Sequence, residues 1–169
     1  MEIWDLYDEN RTLTGKTHIR GEKIPQGYYH LVVHVWIRNA EGEYLISQRS
    51  KDRPAFPLMW ECVGGSVTQG EDSLTGALRE TEEEVGIHLT PEKGKIVYSV
   101  VGRTIDGGRF PDILDVWLFE FDGSVSLEQA TTEEVAAVAW MTKEDIKALY
   151  RDGKFVHTLA YFFDMEGHW

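Results

Sequence analysis

The sequence predicts a single α/β domain, an α/β/α sandwich built on a mixed β-sheet. Short β-branched and aromatic runs bounded by turn residues recur along the chain, one long amphipathic helix interrupts them, and helical patterns close the carboxy-terminal end. At 169 residues, 42% hydrophobic and 27% charged, the chain is long enough to bury a substantial core. No internal repeat or low-complexity stretch divides it, so one domain over residues 1–169 is expected, with residues 1–28 as an amino-terminal extension packed on it.

The elements follow in order. Ile3 to Tyr7 reads as an edge strand, and Pro25-Gln26-Gly27 as a turn before the first core strand. His30 to Arg38 is rich in β-branched and aromatic residues, Asn39-Ala40-Glu41-Gly42-Glu43 carries turn chemistry, and Tyr44 to Arg49 resumes a strand, giving a hairpin. Pro54 and Pro57 make Ser50 to Met59 a loop, after which a short strand, Trp60 to Val63, delivers the chain to a glycine turn at Gly64-Gly65. A helix begins near Asp72 or Ser73 and stops at Gly86, which takes the left-handed conformation that ends helices. Lys95 to Thr104 and Ile113 to Phe121 are long strands joined through Asp106-Gly107-Gly108, and Glu134 to Met141 is another strand. Thr142, with Asp145 three residues on, opens a helix that closes near Gly153, and a last helical segment spans about Phe155 to Met165.

The 72–86 helix has two unlike faces. Leu74, Ala77, Leu78 and Val85 form an apolar stripe suited to a sheet, whereas Glu80, Glu83 and Glu84 cluster within about a third of the circumference. An acidic run usually marks a solvated face. Here the run follows a glycine pair at fixed spacing: Gly65, five residues, Glu71, seven residues, then Arg79-Glu80-Thr81-Glu82-Glu83-Glu84-Val85-Gly86-Ile87.

That spacing resembles the Nudix box, the signature of hydrolases that cleave a nucleoside diphosphate linked to another moiety. Every charged and glycine position of the box is matched, and Thr81 alone departs, where an aliphatic residue is usual. The resemblance implies a Nudix-like α/β/α sandwich and a Mg²⁺-dependent hydrolase, with Mn²⁺ as a substitute. It implies Glu80, Glu83 and Glu84 as metal ligands and catalytic residues, and Glu134, in a later loop, as a further ligand or base. Glu71 and Arg79 are expected to support the site by pairing with each other and with the loop. Gly64 and Gly65 would bring backbone close to phosphate, and Arg49 and Arg103 are candidate phosphate contacts.

A second resemblance is to type I isopentenyl diphosphate isomerase, through Tyr29-His30-Leu31-Val32-Val33-His34, Gln48-Arg49-Ser50 and Met59-Trp60. It fails at that enzyme's chemistry: Gly64 stands where its catalytic cysteine is expected, Ser66 where a metal-binding histidine is expected, and Cys62 lies two residues early. His30 and His34 share a strand face, a spacing compatible with metal or with structural histidines. A non-catalytic nucleotide-binding protein is the third alternative, although its usual mark, an eroded box, is absent.

Net charge sets limits on partners. At −12, the chain lacks the basic surface that binding a nucleic-acid duplex requires, but not the means to hold a phosphorylated small molecule through cations. The longest apolar run is too short for a bilayer, the amino terminus is acidic without a signal-peptide pattern, and the lone Cys62 suits a reducing cytoplasm. Aromatic surplus at Tyr161-Phe162-Phe163 and Trp169 leaves a homodimer open, with packing on the same chain as the alternative.

Overall fold

The structure, a computed structural model, describes residues 1–169. In chain order the elements are a hairpin of β1 (Ile3–Tyr7) and β2 (Leu13–Ile19); strands β3 (His30–Arg38), β4 (Tyr44–Arg49), β5 (Trp60–Glu61) and β6 (Val63–Ser66); helix α1 (Ser73–Val85); strands β7 (Gly94–Val101), β8 (Thr104–Ile105), β9 (Gly108–Arg109), β10 (Asp112–Glu120) and β11 (Val135–Met141); and helices α2 (Lys143–Arg151) and α3 (Tyr161–Met165). No helix is long and apolar enough to cross a membrane.

A seven-stranded sheet carries the domain in the order β11-β4-β3-β10-β7, with β5 on β4 and β6 on β3. It is mixed as expected, because β10 runs parallel to β3 while the other pairs are antiparallel. Strand β3 is buried on both faces, as its near-continuous apolar sequence requires. On one face Val33, Val35, Ile113 and Phe119 pack with Ala77 and Val85 of α1. On the other, Trp36, Ile46, Leu114 and Leu118 pack with Ile146 of α2 and with Phe155 and Phe162. Phe162 stacks on Trp36 with ring centroids 4.3 Å apart, and its full burial contributes roughly 2–3 kcal/mol. Two cores on one sheet make the three layers of the expected sandwich.

One irregularity creates the site. Strands β3 and β4 pair only where they leave their common turn, Arg38 with Tyr44, and then part; β5 and β6 occupy the widening gap. Gly64 and Gly65 therefore lie within β6, paired to His34 and Val33, rather than in the turn expected for them. The expected 60–63 strand is correspondingly split in two around Cys62.

Helix α1 begins and ends where its residues dictate. Asp72 caps it by accepting from the Thr75 N–H at 2.8 Å, and Gly86 terminates it at φ 70° with its N–H donating to Glu82 O. The Thr142 cap of α2 has both halves of the capping box. Other expectations shift. The 95–104 strand ends at Val101, before Gly102 at φ 68°, and the chain then makes the small β8–β9 hairpin. The 155–165 helix is broken into a 3₁₀ turn at His157–Leu159, the short α3, and another turn at Glu166–His168. Strand β2 has no counterpart in the sequence reading, since only His18 of its seven residues is buried and no alternation marks it.

The first 28 residues lie against the core. Ile3 O accepts from the Gln69 N–H at 2.9 Å, and Asp5 accepts from the Gly70 N–H at 2.8 Å, so β1 braces the loop before α1. Arg11 reaches Asp115, fully buried on β10, with two hydrogen bonds of 2.7 and 2.8 Å, and Ser99 adds a third at 2.7 Å. Burial pushes the Asp115 carboxyl up, but these hydrogen bonds outweigh it and hold the group below the usual aspartate range. Arg11→Ala is expected to destabilise the protein by about 2 kcal/mol at pH 7, measured by urea unfolding. Because the paired Asp115 has a lowered folded pKa, its contribution is complete above the unfolded aspartate value near 4 and is lost as pH falls through the folded one. The gap between native and variant should therefore shrink below pH 4.

Candidate active site

The acidic turn of α1 meets the sheet at β6. Gly65 lies so close to the Glu80 carboxylate that any side chain there would collide with it, and a Cβ on Gly64 would come within 2.6 Å of Val33 O. Close approach, not turn formation, is what these glycines provide. Gly70, at φ 83°, supplies the sharp turn.

Arg79 organises the turn. Its Nε and Nη2 donate to the two oxygens of Glu71 at 2.7 and 3.0 Å, Nη2 also donates to Ser66 O, and Nη1 reaches Glu80 at 3.1 Å and Glu83 at 3.2 Å. Glu71 in turn accepts from the Thr68 N–H at 3.0 Å. Arg79 and Glu71 thus fasten helix to loop. Thr81, the odd residue of the pattern, is fully buried and donates its hydroxyl to Ala77 O at 2.8 Å, satisfying the polar group within the helix.

Glu84 is different. It is buried, and its Oε2 has no hydrogen-bond partner. Burial, followed by the neighbouring charges of Glu80, Glu61 and Glu134, pushes its carboxyl well above the ordinary range. Burial likewise lifts Glu80 to about 7 against the pull of Arg79, with Glu83 and Glu134 adding to the rise. Glu83 is the most open of the three, with a side chain 38% exposed.

Residues from elsewhere complete the place. Glu61 on β5 takes Arg49 Nη1 on both oxygens at 2.8 and 3.0 Å, while Arg49 Nε donates to Ala55 O. Glu134 is held by Arg53 Nη1 at 2.6 Å. Both arginines, with Glu61, Gly64 and Gly65, line a cavity of about 260 Å³ whose far wall includes Phe56 and Leu159. Arg49 is therefore at the cavity, though as an ion-paired group and not a free cation. Arg103 lies apart from this cavity: Asp112 holds it at 2.6 Å, and it lines a second cavity of about 390 Å³ with Tyr98 and Tyr161. The two cavities share Thr158.

Glu61 was missed in the sequence reading, and the available signal was an acid inside an otherwise apolar short strand. His34 also lines the first cavity. His30 does not join it as a metal pair: it stacks on Trp4 at 4.1 Å, and its Nδ1 is buried without a partner.

No group of three or more His, Cys, Asp or Glu side chains converges on one ion position. The donor set nonetheless fits a hard divalent cation, because a buried carboxylate oxygen lacks any partner among crowded carboxylates that raise one another's proton affinity. Glu80, Glu83 and Glu84 are the residues that could hold it.

Acidic helix, glycine strand and arginine-lined cavity together suit an enzyme acting on phosphate anhydrides, on a sandwich fold. The NUDIX domain model matches residues 28–159. An uncharacterized Nudix hydrolase of Listeria innocua is 43% identical over 166 residues, covering 96% of this chain and 91% of that one. Among solved structures, DR0079 from Deinococcus radiodurans superposes with a TM-score of 0.73 at 21% identity over 92% of both chains. The MutT protein of Methanosarcina mazei gives 0.61 at 25% identity, covering 81% of this chain and 89% of that one. The chain belongs to the Nudix family and is a hydrolase of acid anhydrides.

The Gly65 contact gives a test of the acidic turn. Because the obstructing atoms are the end of a flexible side chain, Gly65→Ala is expected to displace Glu80 while leaving the fold intact. Circular dichroism should show a melting temperature within a few degrees of native, and Mn²⁺ affinity measured by electron paramagnetic resonance should fall about tenfold or more.

Proposed function

We propose that the protein is a Mg²⁺-dependent pyrophosphohydrolase that cleaves the phosphoanhydride of a nucleoside diphosphate linked to another moiety, by attack of water at phosphorus. The observation that carries this reading is the buried, unpartnered Glu84 oxygen beside Glu80 and Glu61. A protein that served only to fold would gain nothing from such a group, since burying a carboxyl without a hydrogen-bond partner is destabilising by roughly 1–3 kcal/mol.

Bound there, Mg²⁺ or Mn²⁺ would neutralise nonbridging phosphate oxygens and make bound water more acidic. The chain's own residues divide the remaining work. Glu80, Glu83 and Glu84 hold the cation, and Glu71 with Arg79 keeps them in place. Gly64 and Gly65 admit the diphosphate close to the backbone. Arg49, with Nε and Nη1 already engaged, has Nη2 to offer a phosphate oxygen, and Arg53 lines the same cavity. The water proton passes to a carboxylate of the acidic turn, with Glu134 at the Arg53 pair as the second acceptor. Arg103, set in the neighbouring cavity, is placed for the group beyond the diphosphate.

The isomerase alternative loses support from Cys62. That thiol is buried and burial pushes its pKa well up, which suits an inert small hydrophobe and not a proton-transferring group.

Purified protein with Mg²⁺ should release phosphorylated products from members of a panel of nucleoside diphosphate sugars, dinucleotides and triphosphates, and EDTA should stop it. Hydrolysis in ¹⁸O-labelled water should place the label on one phosphate product by mass spectrometry. Glu84→Gln is expected to lower kcat by roughly 10³-fold while melting close to the native temperature, because the amide replaces an unpartnered buried carboxyl of nearly the same shape. Failure to cleave any member of the panel, or isoprenyl diphosphates, with either Mg²⁺ or Mn²⁺ sinks the proposal in favour of a binding protein.

A further inference from the structure

His34 stands opposite Gly64 in the β3–β6 ladder and lines the 260 Å³ cavity. Its Nδ1 lies 2.7 Å from the Tyr161 hydroxyl, and the Trp36 indole N–H donates to that same hydroxyl at 3.0 Å. An indole nitrogen only donates, so the hydroxyl oxygen accepts from Trp36. The hydroxyl has one proton to give, and its remaining partner is His34 Nδ1. Giving that proton to Nδ1 is the arrangement that leaves neither buried group unsatisfied, and it makes Nδ1 the acceptor with the ring proton on Nε2.

Nothing in the surroundings alters that assignment. Burial pushes the Tyr161 hydroxyl well up, so it keeps its proton, and burial together with the nearby Arg103 charge holds the imidazole down at about 3, so it stays neutral. Nε2 makes no hydrogen bond to the protein and is not among the sealed polar atoms. A Cβ on Gly64 would lie 3.3 Å from His34 Cδ2, so glycine at this position keeps the ring edge clear.

We infer that His34 is a substrate-binding residue whose Nε2–H, fixed in direction by the Trp36–Tyr161 relay, donates a hydrogen bond to a phosphate oxygen in the cavity. The inference rests on the diphosphate reading above and adds a contact on the sheet face opposite α1. The occupant's chemistry follows from the lining: Arg49 and Arg53, each already ion-paired, offer fixed N–H donors, glycine backbone admits the occupant closely, and the lone N–H at the floor needs an acceptor. A phosphate oxygen supplies both charge and acceptor. The donor carries no charge of its own, so it adds direction without strengthening the ion pairs that hold Glu61 and Glu134. Tyr161 and Trp36 are positioning residues in this scheme, since they act through the imidazole.

The test uses ¹⁵N-labelled full-length protein and the non-hydrolysable probe imidodiphosphate with Mg²⁺. In the ligand-free protein, His34 should show a one-bond N–H coupling on Nε2 and none on Nδ1, and saturating probe should shift that Nε2 proton. By calorimetry, His34→Gln, which keeps a donor near Nε2, should bind the probe within about threefold of native, whereas His34→Leu should bind about tenfold or more weakly. Tyr161→Phe should populate both tautomers and give an intermediate loss. A proton on Nδ1, a Nε2 proton unmoved at saturation, or His34→Leu binding as tightly as native overturns the inference. Should His34→Leu not fold, the coupling pattern and His34→Gln decide it. If Glu84→Gln abolishes turnover while His34→Leu binds normally, the hydrolase reading stands and this contact falls; if native protein does not bind the probe at all, this contact falls while the substrate panel decides the hydrolase reading.

Discussion

A buried carboxyl without a protein partner is the constraint around which this structure is arranged. Glu84 sits beside Val85, whose burial against the sheet helps dock α1, so the helix cannot seat its apolar stripe without carrying the carboxylate inward. Residues that dock the helix and residues that hold the charge alternate within a single turn. The helix caps and the Arg79–Glu71 clasp offset part of the resulting strain, at positions away from the chemistry. Stability is given up at one place and recovered next to it.

The charge balance follows from the same place. Six carboxylates, Glu61, Glu71, Glu80, Glu83, Glu84 and Glu134, face three guanidiniums, Arg49, Arg53 and Arg79, and every one of the three is already ion-paired. The carboxyl groups outnumber their guanidinium partners, so burial and crowding raise the proton affinity of Glu80 and Glu84, which is the electrostatic condition for the proposed Mg²⁺, a cation able to displace those protons. An anionic substrate and an acidic pocket become compatible only through such a cation. The paired arginines then act less as a source of charge than as fixed donors, their planar groups held by Glu61 and Glu134 so that the remaining N–H bonds point in set directions.

Helix α1 was legible in the sequence because its apolar period, its Asp72 cap and its Gly86 stop agree with one another. The core strands β3, β4, β10 and β11 were legible for the same reason, since their composition and their turns point the same way. The fold class and the acidic turn therefore followed from local pattern, and the remainder did not. Strand β2 exposes most of its residues and holds its place through β1, a tertiary relation with no periodic trace. Glu61 and the Arg49 and Arg53 ion pairs depend on where β3 and β4 separate, which no residue spacing encodes. Arg103 carried the same charge as Arg49 in the sequence, yet Asp112 draws it to the neighbouring cavity.

In the carboxy-terminal segment tertiary demands override the local period. A continuous helix from Phe155 to Met165 would have satisfied the sequence period, but the chain breaks it into short turns. Those breaks let Phe155 and Phe162 reach the core while Thr158 borders both cavities and Tyr161 turns its hydroxyl to Trp36 and His34. A straight helix would present one apolar stripe to the sheet and could not place hydroxyl groups between apolar anchors on the same side. Local regularity yields where the cavity wall requires polar and apolar groups side by side, so the segment least predictable from periodicity is the one that joins the second core to the site.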